Sequence, residues 1–434
     1  RRQREKRYPE GHALRPYFLP GLYVKLVGAI FIGLIYQFYY GGGDTFNFYR
    51  HSLVINSSLN ESFDTWLKLI TRQPLLDNPE VYPFVSQLKW YNDPSSYTVA
   101  ALGAIFGLLN GTTYLPIALL FAYFSFTGVW AMYRTFVNMY PNLHKQLAIA
   151  FLFIPSTFVW GSGVFKDTIC MFGLGWMTYT VFRLFINRDF SIRNILMLVV
   201  SFYLIALVKL YILMAFLPAL AIWMLLTYSH KIQSAAARWL VSLLFIGLAV
   251  IGFLYASQKF SEELGRYSLE NVAQTAATTR DWIYYVSEKQ EGSAYDLGEF
   301  EPTLGGMLSK FPQAVVVTLF RPFPWEAGKV IIALSALEAL VFLYFTLRVI
   351  LSRGRKLGTI FKDPNITFFL IFSLIFAFAV GISSYNFGSL SRYKIPCLPF
   401  YFSMLMVLLY KEQENQWESE LPQHSPKLQP QEAI

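Results

Sequence analysis

The chain has 434 residues, of which 55% are hydrophobic, 18% aromatic and only 15% charged, with a mean hydropathy of +0.39. That composition excludes an ordinary soluble domain and a disordered chain, and predicts an all-α polytopic membrane protein. Lys and Arg number 36 against 27 Asp and Glu, but no basic stripe or recognition motif accompanies the excess, which argues against nucleic acid and for topology signals in loops.

Residues 1–20 open with RRQREKR, a basic segment predicted to stay in the cytoplasm. The apolar run 21–40 that follows is long and has no small-residue cleavage site, so it reads as an uncleaved first helix. It leaves through YYGGGDTFNFYRH, residues 39–51, which sets Asp44 directly after three glycines. In the segment 41–111, ESFDTWLKLITRQPLL (61–76) has apolar residues at helical spacing beside charges, and VAALGAIFGLLNG (98–110) is apolar but short. Both read as interfacial helices, the first equally as a helix packed on its neighbours. Apolar windows follow at 112–133, 146–161, 166–187, 237–257, 327–350, 365–384 and 394–410, and 193–228 is long enough for two helices with a break at Lys209. The sum is about ten spans.

The basic residues fall in alternate short loops, and so all on one side of these spans: Arg134 with Lys145, then Arg183, Arg188 and Arg193, then Lys231 with Arg238, then Arg348 to Lys362. Both termini are therefore predicted to be cytoplasmic and the loops 41–111 and 258–326 external, the latter carrying more acids than bases. The domain plan is one transmembrane domain, 21–410, with a polar tail, 411–434, that reads as cytoplasmic and disordered. No internal repeat or matched pair of broken helices is visible, which argues against a transporter built on inverted repeats. Cys170 and Cys397 stand in apolar stretches, with neither a disulfide framework nor zinc spacing.

Under this topology the unusual charges gather at one external level. They are Asp44, Lys166 and Asp167 of GSGVFKD, Lys209 of ALVKLYI, Arg321 and Glu326 of RPFPWE, and Arg392 and Lys394 of NFGSLSRYKIP. Ionisable groups at the hydrocarbon edge are costly unless paired or facing water, so five loops supplying them at one depth predict a polar cavity open to the outside. Plain structural roles compete at each position. Asp44 suits a local cap or pair, Lys166 and Asp167 a helix start, Arg321 and Arg392 snorkelling to lipid phosphates, and Glu338 a deep hydrogen-bonded acid. His51 and His144 have no ligand spacing around them, and no zinc, Walker, nucleophile-elbow or dinucleotide motif is present. Four or five cations beside one or two carboxylates suit an anionic lipid head group, Arg through its planar fork and Lys as a point charge. The aromatics Trp66, Trp90, Trp160, Tyr284, Tyr285 and Trp325 suit the membrane interface or stacking on sugar rings.

An Asp-containing external loop directly after the first helix, followed by surface helices, resembles the GT-C superfamily of membrane glycosyltransferases. PSTFVWGSGVFKD and SLSRYKIPCLPF are similar to segments of bacterial membrane proteins of polysaccharide assembly, including exopolysaccharide-polymerase-like families. The resemblance covers the layout of most of the chain, with specific matching in these short motifs. It implies glycosyl transfer at the bacterial inner (cytoplasmic) membrane from a polyprenyl-phosphate-linked sugar to an acceptor glycan or lipid, with Asp44 as the base that deprotonates the acceptor. Many GT-C members have paired acids at that position and hold a divalent metal. Asp44 stands between Gly43 and Thr45, which leaves a divalent metal ion open as cofactor. O-antigen polymerases resemble a metal-independent design in which external arginines hold the pyrophosphate, the role this implies for Arg321 and Arg392, with Lys166, Lys209 and Lys394 beside them and Asp167 and Glu326 in support. The same basic cavity also fits a transporter or flippase for a lipid-linked saccharide, or a non-catalytic envelope scaffold.

Overall fold

A computed structural model describes residues 2–73, 77–110, 113–229, 272–289, 294–354, 358 and 362–420. Among them the chain is all-helical. α1 (Arg2–Arg7) precedes α2 (Arg15–Leu34), which starts at Arg15 rather than at 21, has a proline in its first turn, and continues as a π-helical turn over Ile35–Tyr39. The chain then reverses through Gly41, Gly42 and Gly43, whose φ angles are +66°, +135° and +127°. Side chains disfavour that region, and a Cβ on Gly43 would also stand 2.8 Å from the Tyr36 ring. The three glycines thus allow α3 (Asp44–Ser57) to begin at once, with Asp44 in its first turn.

α4 (Phe63–Ile70) is capped by Ser62, whose side chain accepts from the Thr65 amide. α5 (Tyr82–Val85) and α6 (Pro94–Asn110) complete the segment. Together they enclose a small core that includes Ile55, Trp66, Leu69, Phe84, Tyr97 and Ala104. Trp66 and Leu69 of α4 are buried there, and the Trp66 Nε1 donates to Asn56 Oδ1 at 2.9 Å. The apolar spacing of 61–76 therefore serves packing on neighbours, with Phe63 and Leu67 left exposed. α6 is likewise packed on α3 and α7.

The centre of the bundle is α7 (Tyr114–Met139) against α10 (Lys166–Phe185). They cross backbone to backbone: a Cβ on Gly175 would stand 2.0 Å from the Gly128 carbonyl oxygen, the close approach that small residues permit between membrane helices. Between them the window 146–161 is two short helices, α8 (His144–Leu152) and α9 (Pro155–Trp160). Pro155 has no amide hydrogen and pushes Ile154 out of the helical region, to φ −68°, ψ 120°, so the helix restarts there. α11 (Ile192–Ser229) breaks at Lys209, which has φ −150° and ψ 76°. The remaining helices are α12 (Val272–Lys289), α13 (Leu304–Ser309), α14 (Phe311–Phe320), α15 (Val330–Arg353), α16 (Pro364–Ser384), α17 (Phe387–Tyr393) and α18 (Leu398–Glu420).

Among the described residues five helices are long and apolar enough to cross a membrane: Arg15–Tyr39, Tyr114–Met139, Ile192–Tyr228, Val330–Ser352 and Pro364–Ser384. α17 and α18, bent by 68°, make a sixth if they are one span. The distance from the expected ten has definite sources. Window 146–161 splits at Pro155, the two halves of 193–228 form one bent element, and 237–257 lies outside the described residues. α10 carries Lys166, Asp167, Thr168, Thr178, Thr180 and Arg183 and is too polar to qualify by composition; its flanking helices α7 and α11 shelter it. The outer faces are those of a membrane protein. α15 exposes Val330, Leu334, Leu337, Val341 and Tyr344 along one ridge and α11 exposes Ile192, Leu196, Val199 and Tyr203, apolar faces of the kind that suit a lipid surface.

Two segments differ from the plan read from sequence. α14, within the expected loop 258–326, is packed into the bundle: Thr318 Oγ1 donates to the Ala377 carbonyl at 2.7 Å, and a Cβ on Gly381 would stand 2.2 Å from the Ala314 oxygen. α18 runs on to Glu420, past residue 411, where the disordered tail was expected to begin, because the apolar helix simply propagates into its polar continuation; 421–434 lie outside the described residues.

Candidate functional site

The charged residues of interest sit where helices begin, break or end, and the breaks bring them together. Asp167, in the first turn of α10, is fully buried and accepts from two cations, Lys209 Nζ at 2.5 Å and Arg392 Nε at 2.5 Å. Lys209 reaches it from the break in α11, and Arg392 from the short α17. The Arg392 Nη1 goes on to Asp44 Oδ2 at 3.0 Å, across the glycine turn that starts α3. Aromatic faces complete the cation sites: the Arg392 guanidinium lies 4.2 Å from the Phe165 ring centre and the Lys209 ammonium 4.4 Å from that of Tyr393. Lys166 points instead to Asp93, at 3.3 Å.

Exposure grades these groups by depth. The Asp167 side chain is 0% exposed, Lys209 7% and Arg392 11%, whereas Asp93 is 45% and Asp44 50% exposed. Two of the carboxylates, Asp44 and Asp93, are therefore half-exposed and one, Asp167, is buried. Asp93 also accepts from Ser96 Oγ at 2.5 Å and from the Ser95 amide at 3.1 Å. Burial pushes its carboxyl up, but the Ser96 hydroxyl and the Lys166 ammonium outweigh burial and hold it below the ordinary aspartate value.

Arg321, Glu326 and Lys394 form a neighbouring group. Arg321 is forked onto Glu326, with Nε at 3.0 and 3.1 Å from its oxygens and Nη2 also in contact. Its guanidinium lies 5.3 Å from the Phe387 ring centre, at the start of the helix that carries Arg392. Lys394 is buried and donates to the Arg321 carbonyl at 3.5 Å. Glu338, also buried, accepts from the Ser156 amide at 2.8 Å and from its hydroxyl at 2.6 Å, and acts on Lys394 through its charge.

The structure thus joins Asp44, Asp167, Lys209 and Arg392 directly, with Lys166 next in sequence to Asp167, and sets Arg321, Glu326 and Lys394 beside them. Their pairing departs from the expected excess of cations. In the first group Lys166, Lys209 and Arg392 face Asp44, Asp93 and Asp167, and Arg321 faces Glu326, which leaves Lys394, on a backbone carbonyl, as the one cation of the set with no carboxylate in a salt bridge among the described residues.

Three residues escaped the sequence reading. Asp93 opens the NDPSS turn before α6, a helix-start signal that was available. Tyr36 packs its ring on Phe165 at 5.5 Å, within the field of Arg392, Asp44 and Asp167. Lys25, in the middle of α2, is buried and donates to Ser125 Oγ at 3.2 Å and to the Thr157 and Gly161 carbonyls at 3.2 and 2.9 Å. Three acceptors match the three protons of an ammonium. Lys25 and Glu338 thereby grip the two ends of α9, the helix that leads into Lys166 and Asp167.

Among the described residues no group of three or more His, Cys, Asp or Glu is placed to hold a metal ion. The donor set at this cluster, carboxylates each already paired with a lysine or arginine, does not fit a divalent centre. Comparison with protein-family models, curated proteins and solved structures finds no match for this chain.

Proposed function

We propose that this protein transfers a glycosyl group from a polyprenyl-phosphate-linked sugar to a glycan or lipid acceptor, at the extracytoplasmic face of a bacterial inner membrane, with about ten spans and both termini in the cytoplasm. The observation that carries the reading is the Asp44–Arg392–Asp167–Lys209 chain, in which an accessible carboxylate adjoins a guanidinium anchored from behind. Asp44 takes the proton of the attacking hydroxyl, a contribution of roughly 10²- to 10⁴-fold. Arg392, with Lys166 and Lys209, neutralises charge growing on the departing phosphate, usually the larger effect. Arg321 extends the cationic set toward a pyrophosphate, with buried Lys394 behind it on the Arg321 carbonyl.

The pairing fits this chemistry through exposure. An arriving donor phosphate takes over Arg392 from Asp44 and Lys166 from Asp93, exchanging half-exposed partners, while buried Asp167 keeps its two cations in place. Asp44 is released to act as base when the donor is bound, which couples deprotonation to donor binding. Asp44→Asn keeps the size and removes the base. In membranes carrying the variant at matched protein level, polymer or glycolipid formation should fall roughly 10²-fold or more. Wild-type output from that variant removes Asp44 as base. Arg392→Lys keeps the charge but loses the fork, and donor binding should weaken.

A second reading, transport or flipping of a lipid-linked saccharide, draws on Lys25 and Glu338, ionisable groups deep between the helices. The same assay separates the readings, since a flippase leaves the glycosidic bonds of its cargo unchanged. A non-catalytic scaffold would tolerate loss of all the clustered charges together.

A further inference from the structure

Asp44, Phe48 and His51 lie at positions i, i+4 and i+7 of α3, on one face of the helix. Trp90 packs against that face, its ring centre 5.0 Å from Phe48 and 5.0 Å from His51, with Lys89 Nζ 5.8 Å from the indole. The Trp90 carbonyl accepts from the Asp93 amide at 3.1 Å, so the turn that presents the indole also presents Asp93. The contacts close a ring: Asp44 to Arg392, Arg392 to Asp167, Lys166 to Asp93, Asp93 to Trp90, and Trp90 back to α3. Phe48 is buried while Trp90 and His51 are half-buried, so the indole rests against a core residue and keeps part of its surface exposed.

An aromatic wall between two exposed carboxylates is polar at its rim and apolar on its face. A pyranose has the matching character, with an apolar C–H face and equatorial hydroxyls around it. Burial, and then the Lys89 ammonium, hold His51 below the ordinary imidazole value, so near pH 7 it is neutral and offers one donor and one acceptor. Lys89 supplies donors only. We infer that Trp90, with His51 and Lys89 at its edge, is a saccharide-binding subsite that seats the acceptor sugar with a hydroxyl toward Asp44. This deepens the proposed transfer reaction by assigning the acceptor as a glycan rather than a plain lipid, and it rests on that reading for its role though not for its existence.

The test uses the full-length protein in lipid nanodiscs and a panel of neutral soluble probes, chito-, malto- and cello-hexaose, with binding followed by saturation-transfer NMR. At least one hexaose should bind. Trp90→Ala should weaken it about tenfold or more, and Trp90→Phe, which retains a ring, by no more than about threefold. A size-exclusion profile equal to wild type establishes that the variants fold, and His51→Ala provides a second, smaller truncation with the same direction. Absence of binding by every hexaose, or equal binding by wild type and Trp90→Ala, overturns the subsite. Trp90-dependent binding in a protein that makes no glycosidic bond would sustain the subsite and sink the transfer reading. Transfer with an acceptor KM unchanged in Trp90→Ala would do the reverse.

Discussion

Replacing Asp167 by Asn tests whether the buried chain of charges is an anchor or an ornament of the fold. The carboxylate is fully buried and is the shared acceptor of Lys209 and Arg392, themselves 7% and 11% exposed. In the variant one amide oxygen still accepts a hydrogen bond, but the amide nitrogen is turned toward a cation and the negative charge is gone. Arg392 keeps Asp44 as a partner, so Lys209 bears the larger part of the loss. Breaking a buried pair from one side costs about 3–5 kcal/mol, because the remaining charge stays desolvated. Removing the whole set, Asp167→Leu with Lys209→Met and Arg392→Met, also removes the desolvation cost, and buried ion clusters replaced by apolar groups are often neutral in stability, so the triple variant should lie within about 2 kcal/mol of wild type. The single variant should therefore be less stable than the triple. The assay is reversible unfolding in mixed micelles titrated with a denaturing detergent, read by tryptophan fluorescence. A cost below about 1 kcal/mol for Asp167→Asn, or a triple variant no more stable than the single one, refutes the reasoning.

Gly175→Ala should destabilise by about 1–3 kcal/mol or more, since its Cβ would lie 2.0 Å from the Gly128 carbonyl oxygen and the two central helices would have to separate; the same unfolding titration reads it, and a neutral result would show that the crossing is looser than described. Orientation is read by single cysteines: Ser57→Cys and Ser309→Cys should react with an impermeant thiol reagent in intact cells and Ser352→Cys should not, and the reverse pattern would turn the protein over in the membrane and remove the external site.

Much of the fold was legible because its signals are local. A lysine inside the apolar stretch 193–228 marked the break that Lys209 does adopt, and a glycine run after an apolar helix marked a turn that needs positive φ. Pro155 carried an equally local signal for the split of 146–161, but hydropathy alone hid it, since both halves are apolar. What could not be read is partnership. Asp167 meets Lys209 across 42 positions and Arg392 across 225, and no periodicity spans such distances. Asp93 meets Lys166 across 73 positions, and the partners of Lys25 are a hydroxyl and two carbonyls rather than an acid, so neither pairing has a local signal. The consequence bears on function. Sequence counting made the cluster an excess of positive charge waiting for an anion, whereas the structure pairs Lys166, Lys209, Arg321 and Arg392 with carboxylates and separates those carboxylates into buried and half-exposed ones. Only the exposed ones can change partners at low cost, since a surface pair contributes about 0–1 kcal/mol and a buried one cannot be opened without stranding a charge. That ranking, and not the number of charges, is why the proposed reaction casts Asp167 as the anchor and Asp44 as the base.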